Sequence, residues 1–295
     1  MPRQTTTELA FAKVNLALSI GPPGVDRMHP IASWMVTVDL SDELALTRLE
    51  PDSLSRYAIL WHAEARKRSE IDWSITRDLS VRAHLALQEA VGRELPIQAK
   101  LEKRIPVGGG LGGGSSDAAA MLRGVNRLFD LGLSPDELAR LGGELGSDVP
   151  FLVHGGSAIV EGIGERVAIH PRADRTHLVL VFPSATCPTG PVYSAFDRVA
   201  SAALRPEAVR ALANSKRIDP AAPFNDLLRP ALEVAPTLAD DLDEVSALAE
   251  RPAHLSGSGS TLFVVCDDQM HAIALADAIE SRLTLPAVAV QTRGS

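Results

Sequence analysis

Between Gly108 and Ser116 the chain places six glycines and two serines in nine residues, followed after Asp117 by the run Ala118-Ala-Ala-Met-Leu-Arg-Gly-Val-Asn-Arg-Leu-Phe129. Glycine lets a backbone take positive φ and come close to a ligand. A helix that begins there offers unpaired amides and the positive end of its dipole. Ser115 or Ser116 could cap that helix while presenting a hydroxyl to phosphate or metal. The stretch from Gly108 to Ser116 is therefore an expected cradle for phosphate oxygens.

Other readings of the same loop are weaker. Gly108, Gly110 and Gly113 satisfy G-x-G-x-x-G, but a dinucleotide fold places that turn after its first strand with an acidic residue about 20 positions on. Here Pro106 intervenes, strands already precede it, and Asp130 is a loose match. A Walker A loop needs G-K-[ST], and Gly114-Ser115-Ser116 has no lysine. A merely tight connection is the bland alternative, which the paired serines disfavour.

The flanking pattern is mixed. Val14, Leu16, Leu18 and Ile20 alternate with Asn15, Ala17 and Ser19, predicting an amphipathic strand closed by Gly21-Pro-Pro-Gly24. Trp34 to Leu40 and Leu44 to Leu49 read as a hairpin around Ser41-Asp42. Trp61 to Trp73 reads as a charged loop, and Leu79 to Val91 as a helix. Ile97, Ala99 and Leu101 alternate with Gln98, Lys100 and Glu102, so a strand feeds the glycine loop. Ser134-Pro135 predicts the cap and first position of a helix ending near Gly142-Gly143. Beyond His170-Pro171 the order reads strand, helices over Tyr193–Asn214 and Asn225–Glu250, a strand pair around Ser256-Gly-Ser-Gly259, helix Gln269–Leu283 and strand Ala287–Gln291. Interspersed helices with many neighbouring strands favour α+β. Two domains are expected, 1–170 and 171–295.

Net charge is −8, from 29 basic and 37 acidic residues. That argues against a nucleic-acid or anionic-membrane partner, and a polyanionic substrate would need a local basic patch. No run reaches the roughly 18 apolar residues of a membrane span. Cys187 and Cys266 fit no metal or redox spacing, and the histidines show no clustered ligand pattern. A cytoplasmic protein is expected.

Lys13, in an otherwise apolar strand, reads either as a snorkelling side chain or as a functional cation. Asp148 stands ahead of the apolar run Val149–Val153, where a carboxylate is either a helix-terminus or turn residue or part of a site. A lysine and an aspartate beside a phosphate cradle suit phosphoryl transfer. Ser256-Gly-Ser-Gly-Ser260 reads as a hairpin turn or as a second backbone clamp.

Ala12-Lys13-Val14-Asn15-Leu16, the glycine-serine loop, Gly146-Ser-Asp-Val-Pro-Phe151 and Ser256-Gly-Ser-Gly259 resemble the signature regions of the galactokinase, homoserine kinase, mevalonate kinase and phosphomevalonate kinase (GHMP) superfamily. The nearest likeness within it is to the kinases of 4-diphosphocytidyl-2-C-methyl-D-erythritol, and it runs from Phe11 to about Phe263. The resemblance implies a two-domain α+β GHMP-kinase-like fold with its site in the interdomain cleft. It implies ATP, with Mg2+, phosphorylating the 2-hydroxyl of a cytidyl diphosphate alcohol in non-mevalonate isoprenoid biosynthesis. By motif position Asp148 corresponds to the catalytic base and Lys13 to its companion. Residues 106–116 correspond to the ATP loop, and Asn15, His29, Thr189 and Tyr193 to substrate contacts. The family's Asp-Gly-Tyr-His stands here as Asp26-Arg27-Met28-His29, a common alanine as Ser147, and a usual asparagine as Asp78. A sister kinase for another small alcohol, or a non-catalytic nucleotide-binding protein on the same fold, are the alternatives.

Overall fold

A computed structural model describes residues 4–25, 27–172, 174–199 and 203–294. The first part of the chain runs β1 (Thr5–Ile20), β2 (Ile31–Arg48), β3 (Arg56–Trp61), α1 (Leu79–Val91), β4 (Ile97–Lys103), α2 (Gly113–Leu128), α3 (Pro135–Gly143), α4 (Val149–His154), β5 (Ser157–Gly162) and β6 (Arg166–Ile169). There follow β7 (His177–Val181), α5 (Thr189–Val199), α6 (Pro206–Ala213), β8 (Phe224–Asn225), α7 (Leu228–Val234), α8 (Thr237–Ala249), β9 (Ala253–Leu255), β10 (Leu262–Cys266), α9 (Gln269–Leu283) and β11 (Ala287–Gln291).

Contacts divide the chain into two units, neither continuous in sequence. The first comprises Met1–Ala12, Leu40–Val107 and Gly112–Gly155; the second comprises Lys13–Asp39, Gly108–Leu111 and Gly156–Ser295. Residue 170 lies inside the second unit.

In the first unit β3 pairs parallel with β4, and β4 pairs antiparallel with β2 over Glu43–Arg48. Helices α1 to α4 pack on one another. Helix α3 carries a full capping box: Ser134 accepts from the Glu137 amide while the Glu137 side chain takes the Ser134 N–H. Helix α2 approaches the sheet through Gly124, where a Cβ would come within 2.5 Å of Leu46 Cδ1.

In the second unit β2 pairs antiparallel with β5 over Ile31–Val36, β5 with β6, and β1 runs parallel to β8 at Ala17–Leu18. A separate four-stranded sheet has the order β11-β7-β10-β9. Its core joins Leu18 and Ile20 to Val179, Val181, Leu262 and Val264. Cys187 and Cys266 are both buried; burial pushes the Cys266 thiol up to about 11. No helix of the described residues is long and apolar enough to cross a membrane.

Three expectations need correction. Ser41-Asp42 is no hairpin: β2 is one strand of 18 residues. Asp42 is fully buried there, and its carboxylate takes the Ile105 amide and Lys103 Nζ. Nor is the latter part of β1 amphipathic, because Asn15, Ala17 and Ser19 are as buried as their apolar neighbours. Their polar atoms are satisfied internally, Asn15 by Ser33 and Ser19 by Asp226. Finally, neither Ser115 nor Ser116 caps α2. Gly112, at φ +67°, takes the cap position and starts the helix earlier.

Candidate active site

In the second unit the tip of the glycine loop is held by its carbonyls. Thr261 N–H donates to Gly109 O at 3.2 Å, Ser256 Oγ to Gly110 O at 3.0 Å, and Lys13 N–H to Leu111 O at 2.9 Å. Each trans peptide plane points its N–H opposite to its C=O. Fixing these carbonyls therefore turns the amides of Gly110, Leu111 and Gly112 away from the protein partners, an arrangement that suits an anion. Gly108 and Gly110 have φ of +70° and +77°. A Cβ on Gly110 would collide with Ser256 O and lie 3.1 Å from Gly259 N, whereas one on Gly108 would meet nothing within 4 Å.

Lys13 and Asn15 form a polar pair inside β1. Lys13 Nζ donates to Asn15 Oδ1 at 2.6 Å, Asn15 Nδ2 to Ser33 Oγ at 2.8 Å, and Ser33 Oγ to Ala17 O at 2.8 Å. Lys13 is 4% exposed. A Cβ on Gly257 would come 3.2 Å from its ammonium nitrogen, so the second glycine-serine turn passes directly over it. Asn225 Nδ2 holds that turn, donating to Leu255 O and Gly257 O at 2.8 Å each. Thr189 Oγ1 lies 3.2 Å from Ser258 Oγ, which brings the start of α5 to the same turn.

His29 is nearly buried, with Nδ1 donating to Gly21 O at 3.0 Å and Nε2 3.3 Å from Asp197 Oδ1. Its ring lies 5.3 Å from that of Tyr193 and 5.6 Å from that of Phe196. Met28 is exposed. Asp26 lies outside the described residues.

In the first unit the loop ends run through Pro106 and Val107 and resume at Gly112, Gly113 and Gly114. Gly113 packs on Ile105, where a Cβ would sit 3.0 Å from Cγ2. Ser116 Oγ donates to Phe11 O at 2.7 Å. Ser115 approaches the Gly146 turn, its Oγ 3.8 Å from where a Cβ on Gly146 would stand. Asp148 occupies the N-cap position of α4, half-buried, and accepts no capping bond from that helix. Gly142 backs the same helix, since a Cβ there would come 2.5 Å from Val149 Cγ1.

Sequence reasoning passed over a buried ionic group in the first unit. Lys103 Nζ lies 2.6 Å from Asp42 Oδ2 and 2.5 Å from Asp117 Oδ2, all three side chains at most 4% exposed. Burial works against the Lys103 charge, but Asp117 and Asp42 outweigh it and raise its pKa. Burial, with Asp42 adding to it, pushes the Asp117 carboxyl well above the usual range despite Lys103. The signal was present in β4: Ile97, Ala99, Leu101 and Lys103 share its buried face, and a lysine in that register requires a partner. Among the described residues no group of three or more His, Cys, Asp and Glu could hold a metal.

The family model for the N-terminal domain of GHMP kinases matches residues 78–156. The fold is that of the GHMP kinases: a mevalonate kinase from L. major superposes with TM-score 0.68 at 13% identity over 99% of this chain and 97% of its own. Similarity in sequence is narrower. A 4-diphosphocytidyl-2-C-methyl-D-erythritol kinase of Pseudarthrobacter chlorophenolicus is 33% identical over 94% of this chain and 89% of its own. One of Symbiobacterium thermophilum is 37% identical over 88% and 89%. A crystal structure of 4-(cytidine 5'-diphospho)-2C-methyl-D-erythritol kinase superposes with TM-score 0.78 at 32% identity, covering 98% of this chain and all of that one. The chain belongs to the 4-diphosphocytidyl-2-C-methyl-D-erythritol kinase family.

Proposed function

We propose that this chain transfers the γ-phosphoryl group of ATP to the 2-hydroxyl of 4-diphosphocytidyl-2-C-methyl-D-erythritol, a step of non-mevalonate isoprenoid precursor synthesis. The observation that carries the reading is the three tethered carbonyls of Gly109, Gly110 and Leu111, which leave a row of amides for a polyanion in a chain whose relatives bear that kinase name. Phosphoryl transfer asks a protein for position and charge stabilisation more than for covalent chemistry. The amides of 108–114 and the first turn of α2 hold the triphosphate. Asp148 accepts the hydroxyl proton. Lys13, buried and anchored by Asn15, offsets charge that develops at the reacting centre.

A bound Mg2+ would offset charge on the phosphates. That ion takes hard oxygen donors and retains several waters. The half-buried Ser115, beside the turn that leads to Asp148, carries such a donor, so the residues fit.

His29 and Tyr193 supply a polar edge and an aromatic face for the cytosine, with Thr189 at the second glycine-serine turn on the diphosphate side. Met28, exposed where the family has tyrosine, favours one second reading, a sister kinase with another alcohol. Mass spectrometry with ATP and 4-diphosphocytidyl-2-C-methyl-D-erythritol, mevalonate or homoserine separates the two. One added phosphoryl group on the cytidyl compound alone is expected. Addition to another alcohol, with none on the cytidyl compound, overturns the assignment.

A further inference from the structure

The two ends of the glycine loop meet at a buried charge cluster that phosphoryl transfer itself does not use. Lys103 is the last residue of β4, ahead of the loop, and Asp117 follows it inside α2. Their side chains meet at 2.5 Å, and Asp42 of β2 lies 2.6 Å from the same ammonium. Asp42 also fastens the backbone on the loop's leading side, accepting from the Arg104 amide and, at 2.7 Å, from the Ile105 amide. Ile105 then packs on Gly113 on the trailing side. Both strand and helix are thus tied to one point, and the residues between them can vary only within the span that this knot permits.

A buried ion cluster is poor evidence for stability alone, since well-packed apolar groups of similar volume often do as well. What such a cluster adds is a defined geometry, because ammonium and carboxylate must meet at hydrogen-bond distance or leave a buried charge unpaired. We propose that Asp42, Lys103 and Asp117 are positioning residues that clasp the ends of the 106–116 loop and so set the spacing of its amides for the triphosphate. The inference rests on the reading of that loop as the ATP site.

Asp117→Ala opens the trailing side of the clasp while leaving Lys103 and Asp42 as a neutral pair, so the fold keeps its core. Asp117→Asn retains an oxygen acceptor for the Lys103 ammonium. Full steady-state kinetics and amide hydrogen exchange, with and without ATP, are measured on the whole chain. The expected result for Asp117→Ala is a KM for ATP raised about ten- to a hundredfold, an unchanged KM for the alcohol, and faster exchange in 106–116 with no change in β7 and β10. Asp117→Asn restores most of the parent behaviour. Parental exchange in 106–116 together with a parental KM for ATP in Asp117→Ala overturns the clasp alone. If ATP fails to protect 106–116 in the parent itself, the loop is not the nucleotide site and the clasp falls with it.

Discussion

Ser256 stands against Gly110, its hydroxyl donating to the Gly110 carbonyl at 3.0 Å and its own carbonyl filling the space a Gly110 side chain would need. The contact joins residues far apart in sequence and fixes the orientation of the loop's amides. Gly110→Ala must displace the Ser256 turn as well as strain a φ of +77°. Gly108→Ala carries only the backbone strain, about 1–2 kcal/mol for an L-residue in that region, because its Cβ would meet open space. Kinetics at saturating alcohol should show a larger rise in the KM for ATP for Gly110→Ala than for Gly108→Ala. Equal effects would mean that the Ser256 contact does not shape the loop.

Lys13 is buried with its ammonium on Asn15, beneath the turn at Gly257. Lys13→Met keeps much of the apolar stem and removes the charge. Loss of a preorganised charge-stabilising group typically reduces turnover about 10²–10³-fold. Turnover should fall by that order at saturating substrates while thermal stability changes little. A parental kcat would remove Lys13 from the reaction.

Gly124 sits where α2 meets β2, and a methyl there would press on Leu46 Cδ1 and on Glu8 Cγ, 3.0 Å away. Gly124→Ala should therefore destabilise the protein by about 1–3 kcal/mol, the usual range for overpacking, despite alanine's better helix propensity. Chemical denaturation reads the difference directly, and a stabilised variant would contradict this packing.

Two histidines make stability depend on pH. Burial lowers the pKa of His84, opposed by its bond to Leu95 O at 2.8 Å, and that of His254, opposed by its bond to Pro220 O at 2.7 Å. Folded pKa values below the ordinary value of about 6.5 mean that the unfolded chain binds protons first. Their contribution is complete above that pH and declines as pH falls below it, by at most about 1.4 kcal/mol per pH unit for each. Denaturation at pH 7 and pH 5.5 should show a smaller loss for a His84→Asn/His254→Asn variant than for the parent. Identical losses would mean that these rings titrate normally in the fold.

Local chemistry carried much of the architecture in the sequence. Ser134-Pro135 announced the cap and first residue of α3, and the helix read over Gln269–Leu283 matched α9; the Glu137 half of the capping box came only with the structure. The glycine loop opening a helix was equally plain, although Gly112 rather than a serine begins it. What sequence could not supply was the partner of each polar group. Asp42 looked like a turn residue because a carboxylate between apolar strands reads as exposed; Lys103 and the 104–105 amides make its burial tolerable. Asn15 and Ser19 looked solvent-facing for the same reason. The donors that align the loop, from residues 13, 256 and 261, are tertiary contacts with no periodicity to betray them.

In the proposed reaction Asp148 takes the proton of the hydroxyl that attacks ATP. Single-turnover phosphorylation by Asp148→Asn, with ATP affinity measured on the same preparation, tests it. A positioned base contributes about 10²–10⁴-fold, so the rate should fall by that factor while ATP binds as in the parent. A rate within a few-fold of the parent at intact ATP affinity would contradict that role for Asp148.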